Sequence, residues 1–293
     1  MAARSGRRLA VWVILGALLF VVGVGLTAAW LGPRLPFGGE RVAVITVEGV
    51  IADARDVIEQ LHRYRDLPSV KAVVLRVNSP GGAVAPSQEI YREILTFRQE
   101  TKKPVVASMG SVAASGGYYI AAAADRIVAN PGSLTGSIGV IMQIPNLGGL
   151  LQRVGIKTTV IKSGDNKDLT SMTRDLTDSE RRILQEVLDD VHGQFIDAVA
   201  AGRHMDRARV EPLADGRIFS GRQALGLGLV DELGDLSDAI ARAGSLVGIS
   251  GRPKVIQERR RRFSVWDLLT ESLGPGLPTG GTIPSMVLQY LWQ

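Results

Sequence analysis

Met109-Gly110-Ser111-Val112-Ala113-Ala114-Ser115-Gly116-Gly117-Tyr118-Tyr119-Ile120 is the stretch that decides how this chain reads. An apolar run of strand character, residues 104–109, feeds into it. An alanine-rich run of helical character leaves it and continues through Ala124. A serine at such a strand-to-helix junction, flanked by small residues, presents its Oγ to a substrate that approaches the backbone closely. The next N–H then lies at a helix N-terminus, where the dipole favours an anion. Acyl transfer needs that pairing of a nucleophile with a donor for the oxyanion. Serine is also among the commonest helix caps, so Ser115 alone fits either role.

The surroundings favour the first role. Residues 41–47 alternate and are rich in Val and Ile, which predicts a strand. Residues 53–66 have helical spacing, with Val57, Ile58 and Leu61 on one side. A second strand, 70–77, ends in the turn cluster Asn78-Ser79-Pro80-Gly81-Gly82, followed by an amphipathic helix over 86–97 and the strand 104–109. This rhythm predicts an α/β fold with a parallel sheet and right-handed crossovers. Functional loops of such sheets lie at the carboxyl ends of the strands, so Gly81-Gly82 and Ser115 fall on one edge.

Further along, residues 125–129 read as a strand and 130–138 as irregular chain rich in Gly and Ser. Then come a helix over 146–154, a strand over 157–161 and the polar loop 162–168. Thr177 with Glu180 three residues later forms a capping box opening a long helix to about Ala201. Residues 218–233 read as a short helix and then a strand, and 236–247 as a closing helix.

The ends differ in character. Residues 9–31 are apolar and uncharged; at about 1.5 Å per residue they can cross a hydrocarbon core of about 30 Å. Arg4, Arg7 and Arg8, within residues 1–8, should hold that end in the cytoplasm. Thr27-Ala28-Ala29 would suit a cleaved signal peptide, but the run exceeds the usual signal core of about 7–15 residues, which favours an uncleaved anchor. Residues 32–40 form a linker, 41–250 the main domain and 251–293 a C-terminal extension with the block Arg259 to Arg262, whose role the sequence leaves open.

The formal charge of +5 comes from 34 basic and 29 acidic residues. No basic stripe is interleaved with aromatics, so no nucleic-acid partner is expected. The chain has no cysteine, which excludes disulfides and thiol chemistry. His62, His192 and His204 share no ligand-like spacing, so neither a metal nor a cofactor is expected. The same histidines are poor candidates for a base beside Ser115. A lysine can serve where burial disfavours its ammonium form, and Ser–Lys pairs are a variant of the serine mechanism. Spacing alone does not choose among Lys157, Lys162 and Lys167.

Residues 44–234 resemble the signal peptide peptidase A family, membrane-anchored bacterial peptidases, in its short form. The resemblance rests on Asn78-Ser79-Pro80-Gly81-Gly82, on the stretch Met109 to Ile120, on the segment Asn130-Pro131-Gly132-Ser133-Leu134-Thr135-Gly136-Ser137-Ile138-Gly139-Val140 and on Lys162-Ser163-Gly164-Asp165-Asn166-Lys167-Asp168. It implies a crotonase/Clp-protease-like fold, a repeated ββα superhelix, preceded by one N-terminal transmembrane helix. It implies Ser115 as nucleophile and Lys167 as general base, with Lys162 the main competitor. Oxyanion donors would be the N–H groups of Gly116 and of the Gly81-Gly82 turn, with Gly82 preferred, and Ser137 would orient the lysine.

Members assemble into homo-oligomeric rings or domes, so one protomer could complete another's site. Their substrates are apolar remnant signal peptides met at the membrane, outside the cytoplasm, which makes 41–250 a peptidase domain. Three rivals remain: an acyl-thioester enzyme of the same fold, a non-catalytic membrane scaffold, and a peptidase directed at a membrane-protein partner. Thioester cofactors are cytoplasmic, so export argues against the first.

Overall fold

The computed structural model describes residues 39–258 and 289–291, together with Trp12, 15–24 and Leu26. The chain divides into two units, 1–39 and 40–293. Described residues of the first unit before residue 27 are helical. Among the described residues no helix is long and apolar enough to cross a membrane. Much of the expected span 9–31, most of the linker and the Arg259 to Arg262 block lie outside the described residues.

In chain order the second unit contains strands β1 (Arg41–Glu48), β2 (Val70–Ser79), β3 (Gly81–Ala83), β4 (Val105–Ala114), β5 (Arg126–Ala129), β6 (Leu134–Gly136), β7 (Ile218–Ser220), β8 (Glu232–Leu233), β9 (Lys254–Gln257) and β10 (Gln289–Leu291). The helices are α1 (Arg55–Arg65), α2 (Val84–Thr101), α3 (Gly116–Ala121), α4 (Gly148–Arg153), α5 (Asp178–Arg203), α6 (Arg207–Val210), α7 (Gly221–Leu227) and α8 (Leu236–Leu246). The main sheet runs β7-β6-β4-β2-β1-β9, with β5 beside β4 and β8 beside β5. Its pairs are parallel except β6 with β7. β9 pairs with β1, so the sheet continues past residue 250.

The central strands read as unbroken apolar runs because both faces are covered. Ala43, Ile45, Val47, Val73, Leu75, Val77, Val105, Ala107 and Met109 face one core, with Leu61 and Tyr64 of α1 and Ile90, Ile94 and Phe97 of α2. Alternate residues Val42, Val44, Ala72, Val74, Val106 and Val128 face a smaller one closed by Ala239 and Ala243 of α8. α3 is wedged between α2 and α5: the Tyr119 ring lies 5.0 Å from Tyr91 and 4.9 Å from Phe195. Arg203 of α5 forks onto Asp231 at 2.7 and 2.9 Å, and Asp231 also accepts the Ile127 N–H. Burial alone would raise the Asp231 carboxyl, but these hydrogen bonds and the Arg203 charge outweigh it and hold the carboxyl below its ordinary range.

Four expectations change. The strand expected over 104–109 continues to Ala114. Its glycine and alanines are there for contact rather than for a turn: a Cβ on Gly110 would meet the Asn78 side chain at 2.7 Å. The irregular segment 130–138 contains β6, paired to the end of β4. Residues 157–161 are not a strand, for they find no partner among the described residues, and Ile161 is 95% exposed. Residues 218–233 are strand, helix and strand. The α5 capping box forms as read, with Thr177 Oγ1 accepting the Glu180 N–H and the Glu180 carboxylate accepting the Thr177 N–H.

Two glycines of α5 should respond oppositely to alanine. A Cβ at Gly202 would lie 2.0 Å from the Ala122 carbonyl oxygen, whereas Gly193 has its nearest neighbour at 3.8 Å. Gly193→Ala is expected to raise unfolding stability by about 1 kcal/mol through helix propensity. Gly202→Ala should lower it by about 1–3 kcal/mol through overpacking. Urea unfolding of both variants measures the difference, and two shifts of the same sign would contradict this packing.

Candidate active site

β4 ends at Ala114 and α3 begins at Gly116, which leaves Ser115 alone at the junction. Its backbone sits at φ 54° and ψ −120°. A capping serine lies in the extended region and accepts an N–H of the first turn; Ser115 does neither, and its side chain makes no cap hydrogen bond. The helix-cap reading therefore does not hold. Such a backbone costs on the order of 1–3 kcal/mol in a residue with a Cβ. The Ser115 N–H donates to the Gly136 carbonyl at 2.8 Å, and its carbonyl accepts from the Tyr119 N–H at 2.8 Å. Its side chain is buried, and Oγ has no hydrogen-bond partner among the described residues. A strained backbone and an orphaned hydroxyl coincide, and packing gives no reason for either.

The sheet brings three of the other expected residues to this point. Gly116 opens α3, so its N–H has no acceptor within the helix. Ser137 follows Gly136, the residue that holds Ser115; it is buried at φ 50° and donates its N–H to the Arg217 carbonyl. The turn carrying Gly82 arrives because β2 extends to Ser79, which pairs with Ala113. A Cβ on Gly117 would stand 2.8 Å from the Ser79 carbonyl oxygen. Gly82 is required where it lies, since a Cβ there would fall 2.1 Å from the Ile51 carbonyl oxygen.

Ile51 donates to the Gly81 carbonyl and accepts from the Ala83 N–H. By alternation the Gly82 N–H and carbonyl point the other way. That side is taken by β10, antiparallel to β3, with Tyr290 opposite Gly82 and Leu291 opposite Gly81. β10 lies against α3 as well. The sequence held no sign that residues 289–291 would return to this edge.

Lys167 makes no hydrogen bond with Ser115. It lies exposed on the loop, its N–H donating to the Gly164 carbonyl, and its Nζ has no partner among the described residues. Lys162 is engaged: its Nζ donates to Asp168 Oδ1 at 2.6 Å and to the Asp165 carbonyl at 2.7 Å. Asp168 in turn accepts from Arg174, whose guanidinium forks onto Glu180 at 2.6 and 2.8 Å. Hydrogen bonds from Lys162, then Arg174, hold the Asp168 carboxyl below its ordinary range. Those from Arg174, then the Thr177 N–H, lower the Glu180 carboxyl to about 2. The histidines are placed elsewhere: His62 pairs with Glu93 and His192 with the Ala214 carbonyl, while His204 caps the end of α5. No group of side chains fit to hold a metal occurs among the described residues.

This mixed α/β sheet, with a buried serine at a strand-to-helix junction, is consistent with a Clp-protease-like fold, and the Clp protease family matches residues 39–135. Peptidase family S49 matches residues 97–250, more than half of the chain, and the chain belongs to that family. Similar proteins include a putative protease of Synechocystis sp., 46% identical over 211 residues, covering 72% of this chain and 76% of the other. A putative signal peptide peptidase SppA of Enterococcus faecium is 37% identical over 214 residues, 69% of this chain and 62% of that one. Protease 4 of Salmonella typhi is 38% identical over 217 residues, 71% of this chain but 35% of its own length. The resemblance to the signal peptide peptidase A family is thus borne out.

The depressed Glu180 carboxyl has a consequence for acid stability. A carboxyl lowered by folding contributes stability above its unfolded value, near 4.5, which is lost as pH falls toward about 2. Glu180→Gln should therefore unfold at lower urea than the wild type at pH 6 and at nearly the same urea near pH 2. A difference that persists unchanged at acid pH would mean that Glu180 stabilises by packing alone.

Proposed function

We propose that this protein is a membrane-anchored serine endopeptidase with a Ser115–Lys167 dyad. The single observation that carries the reading is the orphaned, buried Oγ of Ser115 on a strained backbone. In the proposed reaction the Lys167 amine takes the Oγ proton as Oγ attacks a peptide carbonyl. The N–H groups of Gly116 and Gly82 receive the oxyanion. The lysine then returns its proton to the leaving amine, and water hydrolyses the resulting ester. Ser137, the residue after the Gly136 whose carbonyl fixes Ser115, orients the lysine.

Lys167 reaches Ser115 from a second copy of the chain. The loop that carries it is exposed, and the chain before it exposes Ile141, Leu147, Leu150, Val154, Ile156, Val160 and Ile161. So many apolar side chains close together favour burial against another subunit. Burial of the loop there would also favour the uncharged amine that a base requires.

The substrate is an extended apolar peptide laid antiparallel on β3, the register in which β10 lies. Remnant signal peptides fit this description, and residues 9–31 would hold the enzyme at the membrane with its catalytic domain outside the cytoplasm. The name of the Enterococcus relative points the same way.

Hydrolysis of apolar fluorogenic peptides by the full chain in detergent tests the reading. Ser115→Ala and Lys167→Ala should each lose on the order of a thousandfold or more in kcat, and Lys162→Ala far less. Mixed assemblies of the two inactive variants should regain activity, because some sites then draw an intact serine and an intact lysine from different copies. Lys167→Ala at wild-type turnover would remove the base, and an inert, correctly assembled wild type would favour a scaffold.

Removal of residues 289–293 should lower KM severalfold by freeing the outward edge of Gly82. An unchanged KM would mean that the substrate lies elsewhere.

A further inference from the structure

Residues 155–177 contain no helix or strand, and residues 155–167 are exposed throughout. The far end of this segment is fixed. The Leu147 N–H donates to the Met172 carbonyl at 2.6 Å, the Asn146 amide donates to Asp175, and a Cβ on Gly148 would meet the Thr173 carbonyl oxygen at 2.5 Å. The near end is tied at its start to α4, the Gly155 N–H donating to the Gln152 carbonyl and the Ile156 N–H to the Leu151 carbonyl, and residues 157–161 make no hydrogen bond among the described residues. Beyond them the restraint is Asp168, with a side chain only 14% exposed, gripped by Lys162 from one side and by Arg174 from the other. Arg174 donates Nε to Asp168 Oδ2 and Nη2 to the Asp168 backbone carbonyl, and forks onto the buried Glu180. Glu180 is itself locked as the third residue of α5, accepting the Thr177 N–H.

We propose that Arg174 and Glu180 are positioning residues that act through Asp168 to fix where Lys167 stands; this rests on the reading of Lys167 as the base. A buried ion pair adds little net stability over apolar residues of similar volume. A planar fork held on both sides adds geometry instead. The bridge grips the backbone carbonyl of Asp168 as well as its carboxylate, so both the side chain of Asp168 and the Asp168–Leu169 peptide unit, one residue past Lys167, are fixed in place. It also engages Lys162, which leaves Lys167 as the uncommitted amine of the polar loop 162–168.

The test uses the full chain, assembled, with two readouts. The first is kcat and KM for peptide hydrolysis. The second is the rate at which the Lys167 amine reacts with a small acylating reagent, followed by mass spectrometry. Arg174→Ala should lower kcat roughly tenfold or more with KM changed by less than about twofold. It should also raise the acylation rate severalfold, with added guanidinium restoring part of both. Arg174→Lys, which keeps the charge and loses the fork, should resemble Arg174→Ala. Glu180→Gln, whose amide oxygen still accepts the Thr177 N–H, should show the same two changes with α5 intact by circular dichroism. Arg207→Ala, which removes an exposed pairing with Asp197 and Glu211, should change neither.

Wild-type kcat and acylation rate in Arg174→Ala would overturn the proposal. So would a fall in kcat that follows only a lower melting temperature or a smaller assembly, with Lys167 reactivity unchanged. If Lys167→Ala stays active, the dyad fails instead, while the acylation rate still reports whether the bridge holds the loop.

Discussion

A ten-residue strand at the middle of a twisted sheet cannot keep one short neighbour along its whole outer side, and β4 does not. Its first half pairs with β5 at Val106 to Ser108, and its last three residues pair with β6 at Leu134 to Gly136. Between them the chain must leave β4, form α3 and β5, and come back. Ser115 stands where that departure begins, and its N–H is held by the last residue of β6. The bond fixes a conformation that a side chain rarely adopts. The strain persists because the elements on either side are overdetermined. β4 is buried between two strands, and α3 is pinned between α2 and α5 by the Tyr91, Tyr119 and Phe195 rings. A serine so placed cannot relax into a helix cap.

The same geometry explains the small residues around the site. Gly110, Gly117 and Gly82 each face an atom of a neighbouring segment that a Cβ would strike below 3 Å. Two β-strand ends, a helix start and the Ile51 bridge are compressed into one edge, and that compression leaves N–H groups close to the serine. Because Ile51 takes the Gly81 carbonyl and the Ala83 N–H, the Gly82 N–H and carbonyl face outward, toward β10.

How far the sequence carried depended on how local each signal was. The Val/Ile runs and the Thr177–Glu180 box are short-range patterns with one physical meaning, and the structure forms them where they were read. Residues 110–114 misled because small residues mark both turns and tight contacts; the contact with Asn78 that decides between them is 32 residues away. Residues 157–161 have strand composition but no strand edge to meet within one chain. That Ser115 and the Gly81-Gly82 turn would share one sheet edge was legible through their position at strand ends. The Lys162–Asp168–Arg174–Glu180 bridge was not, since nothing in its spacing distinguishes it from ordinary surface charge.

That last contrast bears on what a Ser–Lys site demands of a protein. The serine belongs to the core, where the sheet supplies its geometry at no further cost. The lysine of the proposed dyad belongs to a loop without secondary structure, 52 residues later, and such a loop has no intrinsic shape to offer. Backbone hydrogen bonds around Lys167 stay within the loop, as from its N–H to the Gly164 carbonyl, and among the described residues the loop pairs with no strand. A charged side chain anchored in a helix cap can reach the loop instead, and one arginine can hold a carboxylate and a backbone carbonyl at once. On this view the buried Glu180 is the far end of the active site: it converts the rigidity of α5, which packs on the core through Val191, Phe195 and Val199, into a fixed place for an amine that its own loop could not hold.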